Sequence, residues 1–399
     1  MYQLKNIICI ILIVFSVQAH AQKGWTYDEV NTRSYALYEK ADWDGLLSYG
    51  EQAIQSGQDF TLLRLRMGYA AFMLNNFSQA INQYDAVLTK DSYNSTAHYY
   101  LWLCRKYLNQ AELAGIHLKY FTKEALEKEG LKPVSITGAG FEASFKTTDA
   151  TTRGNTFYGM AHVQNRFGWN IHMDQAGAFF NQTIQLGNIV LPVFPPRPPQ
   201  PNNVLINQKE YYNKITANLG NHLQLKAAYH YTNTPIGNVV YNNHSGFVGV
   251  KYNSSYFDVQ ADAIFSKISD SSISQYDATV GIYPLGNLNL YSFSTAILRS
   301  RPSGSAFNFR QIIGCKVLKS VWLEANATLG SFNDLLENDA LYIYNAIDKN
   351  RFKAGLTGYI SITPKCTLEL GYTLEQRELY KQTTTFNQHS ITGGLSWKF

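Results

Sequence analysis

Charge is scarce in this sequence. Asp, Glu, Lys and Arg supply 16% of its residues, where about 25% is usual for a soluble globular chain. The 34 basic and 29 acidic residues leave a net charge of only +5, spread along the chain, which gives no electrostatic footprint for nucleic acid. Cysteine is nearly missing too. Cys9 sits in an N-terminal apolar run, and Cys104, Cys315 and Cys366 are an odd, scattered set with no CxxC or paired Cys/His spacing. That excludes a disulfide framework and gives no metal site. Long apolar runs are also absent. After Val17 nothing approaches about 18 consecutive apolar residues, so helical membrane spans are excluded, although mean hydropathy is only −0.23. What is plentiful is aromatic: 14% of residues, with 28 Tyr and 22 Phe.

The N-terminus explains where the chain goes. Lys5 precedes the apolar run IICIILIVFSV, and QAHAQ then places Ala19 and Ala21 at the −3 and −1 positions of a cleavage site. At roughly 11 residues the run is too short to span a bilayer, and it reads as a secretory signal peptide over residues 1–21. The mature chain is therefore expected outside the cytoplasm.

Residues 22–132 read as a helical repeat domain. Trp43, Phe77 and Ala111 share one position of a 34-residue period; Leu46, Ala80 and Ala114 share a second; Ala53, Val87 and Phe121 share a third. In the middle copy Gly68 allows close helix approach, Ala80 marks the crossing, and Tyr84 and Val87 pack back on the first helix. The pattern resembles the tetratricopeptide repeat. By that resemblance Tyr69, Phe72, Met73, Tyr99 and Tyr107 lie near a concave partner-binding face, the alternative being that they form inter-helix core.

At GLKPVSITG the pattern changes. Pro133 ends the helix-compatible sequence, and residues 133–399 alternate with period 2. Phe141, Ala143 and Phe145 oppose Glu142, Ser144 and Lys146; Phe257, Val259, Ala261 and Ala263 oppose Asp258, Gln260 and Asp262. A soluble sandwich and a transmembrane barrel both fit such strands. Their length decides, because sandwich strands average about 5–6 residues and these run roughly 10–14, the span of a tilted strand across a bilayer. Strands are expected near 134–147, 155–165, 169–185, 209–219, 222–232, 238–252, 255–267, 273–284, 287–299, 304–317, 319–332, 350–362, 365–377 and 388–399, about fourteen in all. Tight turns alternate with longer polar loops around 148–155, 232–237, 269–274, 300–305, 332–350 and 378–385, and with a Pro-rich loop, PVFPPRPPQP. The segment ALYIYNAIDKN is absorbed into the loop before residue 350. An even count puts both ends of the barrel, and the repeats, in the periplasm.

The fold expected is thus a multidomain α+β chain, N-terminal helical repeats followed by an antiparallel transmembrane β-barrel. The last strand, ITGGLSWKF, places Ile391, Leu395, Trp397 and Phe399 on one face. Trp397 and Phe399 suit an aromatic girdle at the lipid interface. A terminal aromatic on such a strand also resembles the signal read by Gram-negative barrel-assembly machinery.

The order signal peptide, tetratricopeptide repeats, barrel resembles the YaiO family of outer-membrane barrels, and in layout the exporters of poly-N-acetylglucosamine and cellulose, whose periplasmic repeats guide a polysaccharide to an outer-membrane pore. The resemblance implies an outer-membrane protein of a Gram-negative envelope engaged in export or assembly of surface polysaccharide. Its partners would be outer-membrane lipid, the assembly machinery, and a periplasmic protein or polysaccharide at the repeats, with no cofactor. Glu142, Lys146, Asp258, Asp262, Glu324 and Glu369 are the candidates to line a lumen, the alternative being a plugged barrel whose interior charges pair. A second reading is a non-conducting anchor that presents the repeats as a scaffold. No enzymatic activity is expected: adjacent residues His389 and Ser390 point to opposite faces of a strand and cannot act as base and nucleophile.

Overall fold

The computed structural model describes residues 25–185, 203–236, 239–268 and 271–399. The signal peptide and the Pro-rich loop lie outside the described residues.

Helices α1 (Tyr27–Glu39), α2 (Trp43–Gln55), α3 (Thr61–Met73), α4 (Phe77–Lys90), α5 (Ser95–Tyr107) and the short α6 (Ala111–Ala114) form three helical hairpins. A 3-10 turn at Gly115–Tyr120 and helix α7 (Lys123–Lys128) follow. First helices begin at 27, 61 and 95 and second helices at 43, 77 and 111, so the 34-residue period read in the sequence is the spacing of the hairpins. Each interhelical turn uses the same device. Ala41, Asn75 and Asn109 hold left-handed φ values of 54°, 59° and 56°, the backbone that ends a helix by turning it away from its own axis. Asp42 and Asn76 then cap the next helices, accepting from the amides of Gly45 and Gln79, each at 3.0 Å. The hairpins cohere through Leu46, Leu63, Met67, Ala80, Ile81, Tyr84 and Leu101, none with accessible surface. Each large one is worth about 1.5–3 kcal/mol of burial. Gly68 is required at the crossing of α3 and α4, since a Cβ there would lie 2.7 Å from the Tyr84 ring.

The remainder is a closed antiparallel barrel of fourteen strands: β1 (Val134–Thr148), β2 (Arg153–Phe167), β3 (Ile171–Gln185), β4 (Asn203–Asn218), β5 (Leu223–Ile236), β6 (Val239–Asn253), β7 (Phe257–Ile268), β8 (Ser271–Ile282), β9 (Leu290–Arg301), β10 (Gly304–Leu318), β11 (Val321–Phe332), β14 (Lys349–Thr363), β15 (Cys366–Glu378) and β16 (Thr385–Lys398). Between β11 and β14 the chain makes a small hairpin, β12 (Leu336–Glu337) and β13 (Tyr342–Ile343), outside the barrel sheet. Barrel neighbours are neighbours in sequence, and β16 closes on β1 with Leu395 opposite Phe141 and Ile391 opposite Phe145. The Phe399 amide adds one more bond, to the Thr137 carbonyl at 3.0 Å.

The barrel is inside-out relative to a soluble domain. Phe141, Val248, Phe265, Phe307, Leu356 and Ile391 are exposed on its outer face, while Gln208, Thr216, Asn243, Gln275, Asn308 and Gln388 are buried within. Phe167, Tyr252, Phe257 and Trp397 are exposed around the rim that carries the turns after β2, β6 and β14. An apolar outer belt, an aromatic rim and a polar interior are the pattern lipid demands of a barrel.

Two expectations about the loops are corrected. The polar stretches near 232–237, 269–274 and 300–305 are largely strand: β5 runs to Ile236 before β6 opens at Val239, and β9 runs to Arg301 before β10 opens at Gly304. Their polar residues face inward and bond there, Asn243 Nδ2 to Thr232 Oγ1 at 2.9 Å and Thr234 Oγ1 to Gln208 Oε1 at 2.8 Å. The stretch 332–350, including ALYIYNAIDKN, is not an outward loop. It folds back into the barrel.

Candidate functional site: a barrel interior closed from both ends

The segment between β11 and β14 carries four acids, Asp334, Glu337, Asp339 and Asp348, and no Lys or Arg. Each acid meets a cation of the barrel wall. Asp334 pairs with Arg299, and with Arg301 Nε at 2.8 Å. Glu337 pairs with Lys353 Nζ at 2.7 Å and lies 4.0 Å from Arg310 Nε. Asp339 takes Lys226 Nζ at 3.0 Å and Lys214 Nζ at 3.4 Å, with Gln260 Nε2 donating to its other oxygen at 2.8 Å. Asp348 accepts a two-pronged bond from Arg153, 2.6 and 2.7 Å. Apolar contacts seat the same segment: Leu336 and Ala340 against Phe247, Ile264, Ile268 and Ile273, and Leu335 against Phe332 and Ile297. Hydroxyls complete the seat. Tyr342 donates to Glu142 at 2.7 Å, and Tyr212 donates to the Asp339 carbonyl at 3.0 Å.

The tip of this hairpin is conformationally costly. Asn338, Asp339 and Ala340 all hold positive φ, 54°, 56° and 64°, a backbone that costs an ordinary L-residue about 1–2 kcal/mol each. Three in succession persist because the ion pairs over-determine the tip, a combination found at switch regions.

The helices close the opposite end. At the turn after β8, the Ser78 amide donates to the Gly286 carbonyl at 3.0 Å and Asn287 Nδ2 to the Asn75 carbonyl at 3.0 Å. At the turn after β6, Ser78 Oγ reaches the Ser255 carbonyl and Tyr256 reaches Asn76 Oδ1. At the turn after β4, Arg105 Nη2 donates to the Asn221 carbonyl at 3.1 Å and Asp85 lies 3.4 Å from His222 Nε2. Asn218 Nδ2 donates to the Glu112 carbonyl at 2.6 Å, and Lys398 Nζ to Asn109 Oδ1 at 3.2 Å. Beside Arg105 sits a neutral histidine pair. His98 Nε2 donates to the Ser92 carbonyl at 3.0 Å, so its Nδ1 accepts from His117 Nδ1 at 3.1 Å. Burial pushes His117 well below the usual histidine range, with Arg105 and His98 adding to the effect, and burial lowers His98 as well.

The two closures touch. Lys214 Nζ lies 3.8 Å from Glu112 of α6, 3.4 Å from Asp339 of the hairpin and 2.9 Å from Asp174 of β3.

The residues singled out from sequence fall into place as follows. Tyr69 bridges Tyr38, Trp43 and Tyr100 with ring centroids 5.4, 5.5 and 5.6 Å apart; Phe72 packs on Tyr100 and Phe77; Tyr107 stacks on Phe77 at 4.9 Å. Tyr99 leans on Tyr100 and Trp102, and Met73, Tyr99 and Tyr107 remain exposed. The five thus form a half-buried aromatic ladder, core on one side and surface on the other. Of the lumen candidates, Glu142 accepts from Tyr342, Asp258 pairs with Lys251 Nζ at 3.1 Å and accepts from Tyr283, Asp262 accepts from Gln260, and Glu324 accepts from Tyr291. Lys146 and Glu369 are half-buried on the inner face. Trp397 and Phe399 face outward, exposed. His389 is exposed on the outer face and Ser390 buried on the inner one. The plug acids and most of their cations were missed from sequence. The signal for them was a supposed surface loop that carries LL and LYIY beside four acids.

No protein family and no curated protein matches the chain. Among solved structures it is similar to the toluene transporter TodX of Pseudomonas putida, with 9% identity, 70% of this chain and 94% of that one covered, and a TM-score of 0.46. It is also similar to Omp33 of Acinetobacter baumannii (8%, 66% and 99%, 0.38) and to a bacterial polysaccharide outer membrane secretin (8%, 66% and 98%, 0.41). Scores this low leave the barrel's own geometry to carry its reading.

Proposed function

We propose that this chain is an outer-membrane barrel for passage of a polar substrate, shut at rest by the acidic hairpin from one side and by the helices from the other. The observation that carries the reading is the complete matching of the four hairpin acids to wall cations. A segment meant only to fill space would do so at lower cost with apolar side chains, because ion pairs roughly break even against the desolvation they require. Held by charge pairs on a polar wall, the hairpin is instead a displaceable plug.

The helical hairpins, read as tetratricopeptide repeats, then stand in the periplasm, and Phe399 addresses the chain to the assembly machinery. A surface polysaccharide is the substrate class proposed. Supporting it are the polar bore and the Tyr-rich ladder beside the helical mouth, whose flat faces and hydroxyls suit sugar rings. The seal at both ends also favours a second reading, a non-conducting anchor with the helices as scaffold.

Planar-bilayer conductance separates the two. Replacing residues 334–347 by a short Gly-Ser linker should convert a silent or flickering barrel into a steadily conducting one, with heat-modifiable migration checking that it is folded. A folded barrel that stays silent without the hairpin, and without residues 26–130 as well, would leave only the anchor.

A further inference from the structure

At the mouth opposite the helices, a cavity of about 280 Å³ opens between the plug segment and the loop after β15, lined by Arg301, Asn333, Ile347, Lys349, Tyr380 and Lys381 among others. Its charge is unbalanced. Glu378, its only lining carboxylate, is taken by Arg351. Lys349 and Lys381 are exposed and meet no carboxylate ion-pair partner among the described residues. Arg301 is shared with Asp334, 2.8 Å from Nε, and donates to Asn333 Oδ1 at 3.2 Å. The walls are mixed: Ile347 supplies an apolar patch, and the Tyr380 ring lies under Lys381 Nζ, 5.2 Å from its centroid. The loop is anchored by the Tyr380 amide, which donates to the plug's Asp348 at 3.0 Å.

We infer that this cavity binds an anionic sugar, a ring bearing a phosphate or carboxylate. Two lysines without a carboxylate partner, and an Arg301 shared with Asp334, face one acid already taken by Arg351, which selects an anion. The volume lies near the lower bound for small-molecule sites, the size of one sugar unit, and Tyr380 offers a flat face for the ring. Occupation also has a consequence for the plug. An anion on Arg301 competes with Asp334 for the same guanidinium, so binding loosens the hairpin from outside. This second step rests on the gated reading; the binding site does not.

The test uses the full mature protein in detergent and calorimetric titration with glucose 1-phosphate, glucuronate and neutral glucose. Either anion should bind and glucose should not, with affinity falling as salt rises. The double variant Lys349→Gln, Lys381→Gln touches no plug contact and should lose about tenfold or more, with heat-modifiable migration unchanged. Equal binding of glucose, or unaltered binding by the folded double variant, would overturn the site.

Repeating the titration in phosphatidylcholine vesicles with and without lipopolysaccharide identifies the source. Binding that lipopolysaccharide abolishes assigns the cavity to a leaflet phosphate; binding that persists assigns it to a soluble sugar. Conductance is read separately: binding without any rise in opening keeps the site and removes the release step.

Discussion

Glu112 of α6 and Asp339 at the hairpin tip hold one ammonium between them, Lys214 Nζ, at 3.8 and 3.4 Å. The two carboxylates reach it from opposite ends of the barrel, so the helical cap and the plug are electrostatic neighbours across a single side chain. Moving either one changes what the other is paired with. Lys214→Gln should therefore raise spontaneous opening without abolishing closure, since Asp339 retains Lys226 at 3.0 Å. About tenfold is the scale if roughly 1.4 kcal/mol of plug binding is lost. Single-channel recording checks it, and a double-mutant cycle of Glu112→Gln with Asp339→Asn should be non-additive, because both act through the same cation.

Ala340→Gly tests the strain at the tip. Relief of a left-handed alanine favours glycine by about 1–2 kcal/mol, while the lost methyl burial against Phe247 and Ile264 costs about 0.8 kcal/mol. Glycine also adds up to about 1 kcal/mol of freedom to the released hairpin, so the terms nearly cancel and opening should stay within a few-fold of the native channel. Greater noise would mean that the tip is not held against its own backbone preference.

The strand count, the closure of β16 on β1 and the inward or outward sense of Glu142, Asp258 and Trp397 were legible because a wall between lipid and a polar bore writes period 2 into every strand. The 34-residue spacing was legible because each helical hairpin repeats one packing problem, with Ala41, Asn75 and Asn109 solving the turn in the same way. The plug was not. Its strands are two residues each, too short for periodicity, and the cations Lys214, Arg299 and Lys353 lie 125, 35 and 16 residues from their acids Asp339, Asp334 and Glu337, brought together only by the closed barrel, which no local pattern reports. Polar residues such as Thr232 and Asn243 misled for a related reason: they read as loop, yet they line an interior where polarity is required.

The histidine pair sets a pH dependence for the helices. Unfolded, His117 takes a proton near pH 6.5; folded, burial holds it neutral to well below that. Its contribution is fully present above about pH 6.5 and falls as pH drops through that value, by about 1.4 kcal/mol per pH unit for each proton taken up only on unfolding. Asp59 has the same sign in a lower window: the hydrogen bond from Arg64, then Lys90, holds it at about 2, so its stabilisation persists above about pH 3.9 and fades only as pH falls toward 2. Urea melts of the full chain followed by helical circular dichroism should therefore weaken between pH 7 and 5, and His117→Gln should flatten that slope. A slope unchanged by the substitution would remove the pair as its source.

Ala41 and Asn109 occupy the same turn position with different neighbours, which separates local strain from docking. Ala41 is exposed and its amide bonds the Tyr38 carbonyl of its own hairpin at 3.0 Å, so Ala41→Gly should relieve about 1–2 kcal/mol of left-handed strain against up to about 1 kcal/mol of added unfolded-state freedom. A net gain of about 0.5–1 kcal/mol in the helical melt is expected, with barrel heat-modifiability unchanged. Asn109→Gly gains the same backbone freedom but forfeits the bond from Lys398 Nζ, 3.2 Å from Asn109 Oδ1. It should leave the helices as stable yet more readily cleaved from the barrel rim by limited proteolysis, because what it removes is a tether to the final strand rather than part of the helical core.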